Sequence, residues 1–270
     1  KMVGEQAKAY LSAYNSDTSL KEPIDKEEFK IVSKNEVKRG GFQSNKEQSV
    51  LFVFPDGSYG KEGAEDNTKY DKKTGMQFTK FNGYLTSTIS DFEDPKKYYI
   101  DKMKKLNKLS CKYANIIGVI LELSTQTPYL YNDEIRANLM EKYPNESQIH
   151  ELAFIFNNRK TQGGGILLGK IMEKFGFKKI KIRDSKRSGR NDSSIYDKYN
   201  IANHEEYMSY AIIDGDSTPT QNEIDRIIKV FNSPENKFGK LIRVIIGSTV
   251  ISEGVSLFNV SQIHIATPHW

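Results

Sequence analysis

The stretch Leu241–Trp270, LIRVIIGSTVISEGVSLFNVSQIHIATPHW, decides how the chain is read. Leu241 to Ile246 is an apolar, β-branched run with a single arginine, and it meets Gly247 and the small polar pair Ser248 and Thr249. Such a run reads as a buried strand entering a loop. Glu253-Gly254 interrupts a second apolar run, and SQIHIATP alternates into a short strand, Gln262 to Ala266, that stops at Pro268. Two buried strands flank one glycine-containing loop. In an open parallel sheet ligands are met at the carboxyl ends of strands, which makes Ser248, Thr249, Glu253, Gly254 and Ser256 candidates for phosphate or nucleotide contact. An ordinary αβ crossover with a polar turn fits the same pattern.

Upstream the same alternation repeats. Leu152 to Phe156, LAFIF, reads as a buried strand ending in Asn157-Asn158-Arg159. Gly163-Gly164-Gly165 then opens a helix with Ile166, Leu167, Ile171, Met172 and Phe175 on its face, and Gly176 is its natural stop. Strand, polar loop and glycine-rich helix start is how backbone amides are offered to an anion, although a glycine-rich turn without a ligand has the same sequence. Tyr210 to Ile213 returns to strand character and stops at Asp214-Gly215-Asp216. Thr220 to Phe231 is a helix with Ile224, Ile227, Ile228 and Phe231 inward and Glu223, Arg226 and Lys229 outward. Strands near Leu152, Ile180, Ala211, Val244 and Ile263, alternating with helices at Ile166, Ile224 and within the loop after Gly247, predict an α/β fold. The sheet should be mostly parallel and flanked by helices.

Before residue 108 the pattern is weaker. Met2 to Tyr14 has helical spacing, Ser16 to Arg39 is charged and weakly periodic and reads as a linker with room for a short helix, and Ser49 to Pro55, SVLFVFP, is strand-like. Phe54 to Gly63 has the look of a phosphate loop but lacks the Gly-x-x-x-x-Gly-Lys-Ser/Thr spacing, and no helical pattern follows it. Helices are expected from Asp94 to Leu106 and again from Ser110, where Tyr113, Ile116, Ile117, Val119, Ile120 and Leu123 make an apolar stripe. Thr125 to Gln148 and Asp184 to Glu206 read as insertions, the second mobile and basic at its start, with Lys186, Arg187 and Arg190.

The 270 residues, 37% hydrophobic, allow a real core and suit a soluble globular protein. Forty Lys+Arg against 35 Asp+Glu leave a net charge of +5, which permits a phosphate partner without demanding one. Cys111 is the single cysteine, which excludes an internal disulfide and suits a reducing compartment. Four scattered histidines exclude a convincing zinc set. No apolar run approaches the roughly 20 residues of a membrane helix, and KMVGEQAKAYL is no signal peptide. The chain closes at Trp270 directly after a strand, so a piece of a longer protein is expected.

Ser-Thr-x-x-x-Glu-Gly-x-Ser-Leu (Ser248 to Leu257), Gln-Ile-His-Ile and Pro-His-Trp together resemble motif V of superfamily 2 helicases. The group most similar is that of large cytoplasmic DNA viruses and yeast linear plasmids, which includes the poxvirus nucleoside triphosphate phosphohydrolase and early-transcription-factor small subunit. The match is densest over Ile246 to Trp270 and extends to Leu152–Phe177, the place of motif IV, and to Gly215, Arg226, Phe231 and Asn232. Met2, Gln6 and Tyr10 resemble the helix that follows the first RecA-like domain, Phe54 to Gly63 the connection between domains, and Ser110-x-Lys112 the start of the second domain. A serine N-cap beside a solvated lysine would give Ser110-x-Lys112 equally well.

The resemblance implies a second RecA-like domain over residues 108–270, preceded by a connection and extension over 1–107. It implies nucleic-acid contacts from Asn157, Gly164, Gly165, Gly215, Ser248 and Thr249, and nucleotide contacts from Glu253, Gly254 and Ser256. ATP and Mg2+ would be held mainly by a first RecA-like domain, because the chain has neither a Walker loop nor an Asp-Glu-x-His box and ends before a Gln-x-x-Gly-Arg-x-x-Arg motif. Partners would be DNA or RNA, that first domain and viral transcription or replication machinery, with no membrane, in the virion or host cytoplasm. The alternatives are a non-catalytic nucleic-acid-binding or transcription-factor scaffold with this fold, and an unrelated nucleotide-binding enzyme.

Overall fold

The computed structural model describes residues 2–18, 44–71, 75–87, 95–122, 152–159, 164–180, 182, 208–214, 220–251 and 255–267. The expected insertions at Thr125–Gln148 and Asp184–Glu206, and most of the charged linker, lie outside the described residues. Two compact units are formed, residues 1–116 with 161–168 and residues 117–160 with 169–270. No helix among the described residues is long and apolar enough to cross a membrane.

Among its described residues the first unit is helical apart from one antiparallel pair of strands and the turns beside it. It contains α1 (Gly4–Thr18), α2 (Ser44–Leu51), α3 (Gly60–Asn67), the antiparallel pair β1 (Thr68–Asp71) and β2 (Gly75–Phe78), α4 (Pro95–Leu109) and the start of α5 (Cys111–Glu122). Gln6 of α1 is fully buried, and its amide nitrogen donates to the carbonyls of Val50 at 2.7 Å and Ser49 at 3.4 Å. Its amide oxygen accepts the Cys111 N–H at 2.9 Å. One side chain thereby satisfies open carbonyls at the end of α2 and an open amide at the start of α5. Ser110 is the N-cap of α5: its hydroxyl accepts the Tyr113 N–H and donates to the Leu51 carbonyl. Lys112 is not solvated beside it but half-buried, and burial pushes its ammonium below the usual lysine range.

Two expectations for this unit are corrected. Ser49–Pro55 is not a strand, because Ser49–Leu51 is the last turn of α2 and Val53 makes a single bridge to Tyr59. Leu51, Phe52, Val53 and Phe54 are all buried, and Phe52 and Phe54 pack their rings on Phe81, with Phe52 also against Tyr113. Four consecutive buried residues fit neither a helix stripe nor a one-sided strand. The loop from Phe54 is indeed followed by a helix, α3. GKEGAEDN has no apolar stripe, and the helix is secured by polar contacts instead: Asn67 Nδ2 donates to the Asp56 carboxylate and to the Gly63 carbonyl.

The second unit is the expected α/β, RecA-like domain. Its strands are β3 (Leu152–Phe156), β4 (Lys178–Lys179), β5 (Ser209–Ile213), β6 (Val244–Gly247) and β7 (Val260–Ile265). They form one sheet in the order β4-β5-β6-β3-β7 with every pairing parallel. The strand expected at Ile180 is the two-residue edge strand β4, with the Ile180 N–H still donating to Tyr210 at 2.9 Å. Helix α6 (Gly165–Glu173), of which Gly169–Glu173 belongs to this unit, follows β3, and α7 (Gln221–Phe231) follows β5. Thr220 caps α7 through its hydroxyl, which accepts the Glu223 N–H. On one face Leu152, Ala211, Ile213 and Ile245 join Ile224, Val230 and Phe231 of α7 in a buried cluster. On α6 a Cβ at Gly169 would come within 2.7 Å of the Tyr210 ring, so that position admits glycine alone. The Tyr210 hydroxyl donates to Glu173 at 2.8 Å, and burial pushes its pKa far above the usual tyrosine range.

Strand β6 begins at Val244 rather than at Leu241. The cause is Asn236, which is fully buried and uses its whole amide. Its oxygen accepts the Leu241 and Ile242 N–H groups at 2.8 and 2.9 Å, and its nitrogen donates to the Phe231 and Ile242 carbonyls, both at 2.9 Å. Arg243 is also fully buried and donates to the Ile120 carbonyl in the last turn of α5. Replacing Asn236 by alanine leaves buried backbone groups unpaired, each worth about 1–3 kcal/mol. Chemical denaturation followed by circular dichroism should register a loss of about 3 kcal/mol or more. Asn236→Asp should fare no better, because two donors facing carbonyls become acceptors.

Candidate functional site at the carboxyl edge of the sheet

Four strands of the second unit end in buried polar residues, in the order of the sheet. Asp214 follows β5, Ser248 follows β6, Asn157 follows β3 and Thr267 follows β7, and none is more than 3% exposed. The ladder runs one residue past the strands: Ser248 N–H donates to Ile213 at 3.1 Å, Asn157 N–H to Gly247 at 2.8 Å and Ala266 N–H to Phe156 at 2.9 Å. Parallel pairing therefore fixes where each loop leaves the sheet.

The loop after β6 turns at once. A Cβ on Gly247 would meet Ile251 at 2.5 Å and the Phe154 ring at 2.7 Å, so the last strand residue has space for no side chain. Thr249–Ile251 form a single 3-10 turn where a helix was expected. Within it the Ile251 N–H donates to the Ser248 carbonyl and the Val250 N–H reaches the Ser248 hydroxyl at 3.4 Å. The Ser248 side chain is thus spent inside the turn. Thr249 and Val250 are exposed.

Asn157 builds a second turn beside the first. Its side-chain oxygen accepts the Arg159 N–H at 3.1 Å, while the Asn158 N–H donates to the Thr267 hydroxyl at 2.6 Å. Thr267 thereby joins the end of β7 to the loop after β3. The loop that returns from the β6 turn is tied by Asn232 at the end of α7, whose amide nitrogen donates to the Ser256 carbonyl at 2.7 Å and whose oxygen accepts the Phe258 N–H at 2.8 Å.

Of the residues selected from sequence, the structure brings Asn157 and Ser248 onto adjoining strand ends, with Thr249 on the exposed side of the turn. Ser256 is exposed and contributes its carbonyl to the Asn232 clamp. Gly164 and Gly165 are buried and belong to the first unit, where the Gly164 carbonyl accepts the Leu168 N–H and the Tyr113 hydroxyl. Gly215, Glu253 and Gly254 lie outside the described residues. Sequence reasoning did not select Asp214, Asn232 or Thr267 for this edge. For Asp214 and Thr267 the signal was available, since each stands one or two residues past a strand. For Asn232 it was its place at the end of a strongly amphipathic helix. Among the described residues no group of three His, Cys, Asp or Glu side chains could hold a metal ion.

Compared with known proteins, the chain matches no family model. It is 28% identical over 227 residues to "Putative helicase 087L" of invertebrate iridescent virus 3, covering 84% of this chain and 17% of that protein. It is 31% identical over 117 residues to "Putative ATP-dependent RNA helicase R563" of Acanthamoeba polyphaga mimivirus, covering 43% of this chain and 17% of that protein. A protein named "Putative ATP-dependent RNA helicase" of Heliothis virescens ascovirus 3e is 25% identical over 223 residues, covering 83% of this chain and 18% of its own length. The chain is thus a relative of proteins from large DNA viruses that carry helicase names, and it spans less than a fifth of their length.

Proposed function

We propose that this chain supplies the C-terminal RecA-like half of a viral ATP-dependent nucleic-acid helicase or translocase, with the loops after β3 and β6 serving as motifs IV and V. The observation that carries the reading is the turn at Ser248–Ile251: a buried serine closes it from within, and it leaves Thr249 exposed at the carboxyl edge of a parallel sheet. In that role Thr249 and nearby backbone meet a nucleic-acid phosphate, and Asn157 shapes the neighbouring turn for the same strand of nucleic acid. By the resemblance to the family, Glu253 and Gly254 contact the nucleotide, so one stretch of sequence serves both ligands. ATP and Mg2+ are held mainly by a first RecA-like domain, and the protein works in the virion or host cytoplasm. Catalysis is then positioning and charge stabilisation across two domains that close on the triphosphate.

The chain alone should show no ATP turnover above background, with or without an oligonucleotide. Turnover that Glu253→Gln abolishes would overturn the assignment to half of a site. Thr249→Val keeps the side-chain shape and removes one hydroxyl. At an exposed position it should change stability by no more than about 0.5 kcal/mol. In the longer protein it should lower nucleic-acid-stimulated ATPase far more than basal ATPase. A strongly destabilised variant with intact stimulation would make Thr249 a structural residue and remove the motif V assignment.

A further inference from the structure

The two edges of the parallel sheet are built differently. Strand β4 is two residues long, both of them exposed lysines, and short length and charge each blunt an edge. Strand β7 is six residues long, its sequence VSQIHI holds no lysine, arginine, acid or proline, and among the described residues it pairs with β3 alone. The Ala266 N–H donates to Phe156 of β3, so by the alternation of the ladder the N–H groups of Ile263 and Ile265 point to the open side. The side chains of the same two residues are 70% and 65% exposed. They share a face of the sheet with Phe154 and Phe156, their partners in register, which are only partly buried. Ile245 continues that face on β6 and is fully buried with the apolar side of α7. A helix about 10 Å across covers two strands about 4.8 Å apart, so α7 serves β5 and β6, and the width of one helix is left over β3 and β7.

We infer that β7 is an interface: a further parallel strand of the longer protein pairs with its open side, and the crossover helix leading to that strand lays an apolar stripe on Phe154, Phe156, Ile263 and Ile265. Handedness selects the face. The step from β5 to β6 carries α7 on the face of Ile245. The step from β3 to β4 runs the other way across the sheet and carries α6, whose Gly169 packs on Tyr210 of the opposite face. Opposite directions with opposite faces are one hand, the right hand of parallel crossovers. A step outward from β7 has the direction of β5 to β6, so its helix falls on the face of α7, where the two isoleucines are exposed. One strand–helix unit therefore satisfies both the free amides and the bare apolar floor, which a parallel sheet normally buries. The matched part is 17% of the iridescent-virus relative, so most of such a protein lies outside this chain. A second copy paired β7 to β7 in antiparallel fashion fits less well, because it would satisfy the amides and leave the isoleucines of both copies uncovered on the same side. The inference rests on the proposed function only in taking the chain as part of a longer protein.

The test is amide hydrogen exchange, resolved to single residues by mass spectrometry with fragmentation, in this chain and in the longer protein. In the chain the Ile263 and Ile265 amides should exchange fast, and in the longer protein at least about 100-fold more slowly, with the amides of β6, paired on both sides, as the reference. The double variant Ile263→Lys, Ile265→Lys should leave the melting temperature of the chain nearly unchanged, because both side chains are exposed there, and should lower that of the longer protein and restore fast exchange on β7. Equal exchange in the two proteins would mean that the edge stays open. Slow exchange already in the monomeric chain would mean that the chain covers its own edge. Slowing that grows with the concentration of the chain, with dimers in analytical ultracentrifugation, would assign the edge to a second copy. Each of these results overturns the inference. The two readings fail separately: an open β7 edge beside ATP turnover whose stimulation depends on Thr249 sinks this inference alone, and a protected edge with stimulation indifferent to Thr249 sinks only the motif V assignment.

Discussion

The second unit depends on how β6 ends. Val244–Gly247 is buried throughout and hydrogen-bonded on both sides, to β5 and to β3. A parallel strand in that position cannot shift by one residue without breaking two ladders at once. Its last residue sits between Ile251 and the ring of Phe154, closer than any side chain allows. The chain must therefore turn immediately, and Ser248 and Thr249 fall where they do because Gly247 fixes the exit point. A larger residue at 247 would push the turn away from the edge or separate β6 from β3. The geometry of the candidate site follows from packing two residues earlier.

The regular ladder stops at the loops, and side-chain amides continue it. Asn236 stands in for a strand at the entry to β6, Asn232 for a strand beside Ser256 and Phe258, and Gln6 for a missing turn between α2 and α5. Each amide presents a donor and an acceptor in the geometry of a peptide group, so it completes backbone pairing where no strand or helix can reach. Asn236 and Gln6 do this with no solvent exposure, so both are structural rather than available to a ligand.

These facts decide what could be read from the sequence. The strands at Leu152, Ala211, Val244 and Ile263 were legible because runs of Val, Ile and Phe, bounded by polar turns, have few other uses in a chain of this size. So was α7, with its Thr220-x-x-Glu223 start. The start of β6 was not, since Leu241 and Ile242 are as apolar as the strand proper and only Asn236 separates them from it. SVLFVFP was misread because Leu51–Phe54 are all buried, with Phe52 against Phe81 and Tyr113 and Phe54 against Phe81, and no period records that. At the site, Asn157, Ser248 and Thr249 were visible from their position after strands. The bond from Asn158 to Thr267 spans 109 residues and leaves no local pattern.

The sheet edge has little raw affinity to offer by itself. The amides of its turns are already used, Asn158 by Thr267, Arg159 by Asn157, and Val250 and Ile251 by Ser248. A phosphate that took one of these donors would exchange one hydrogen bond for another, and such exchanges net about 1 kcal/mol at most. What such an edge does well is fix direction, since its groups are pre-set by the ladder and move little. Binding strength has to come from charge that is not consumed internally, and counterion release supplies it in proportion to the number of phosphates met.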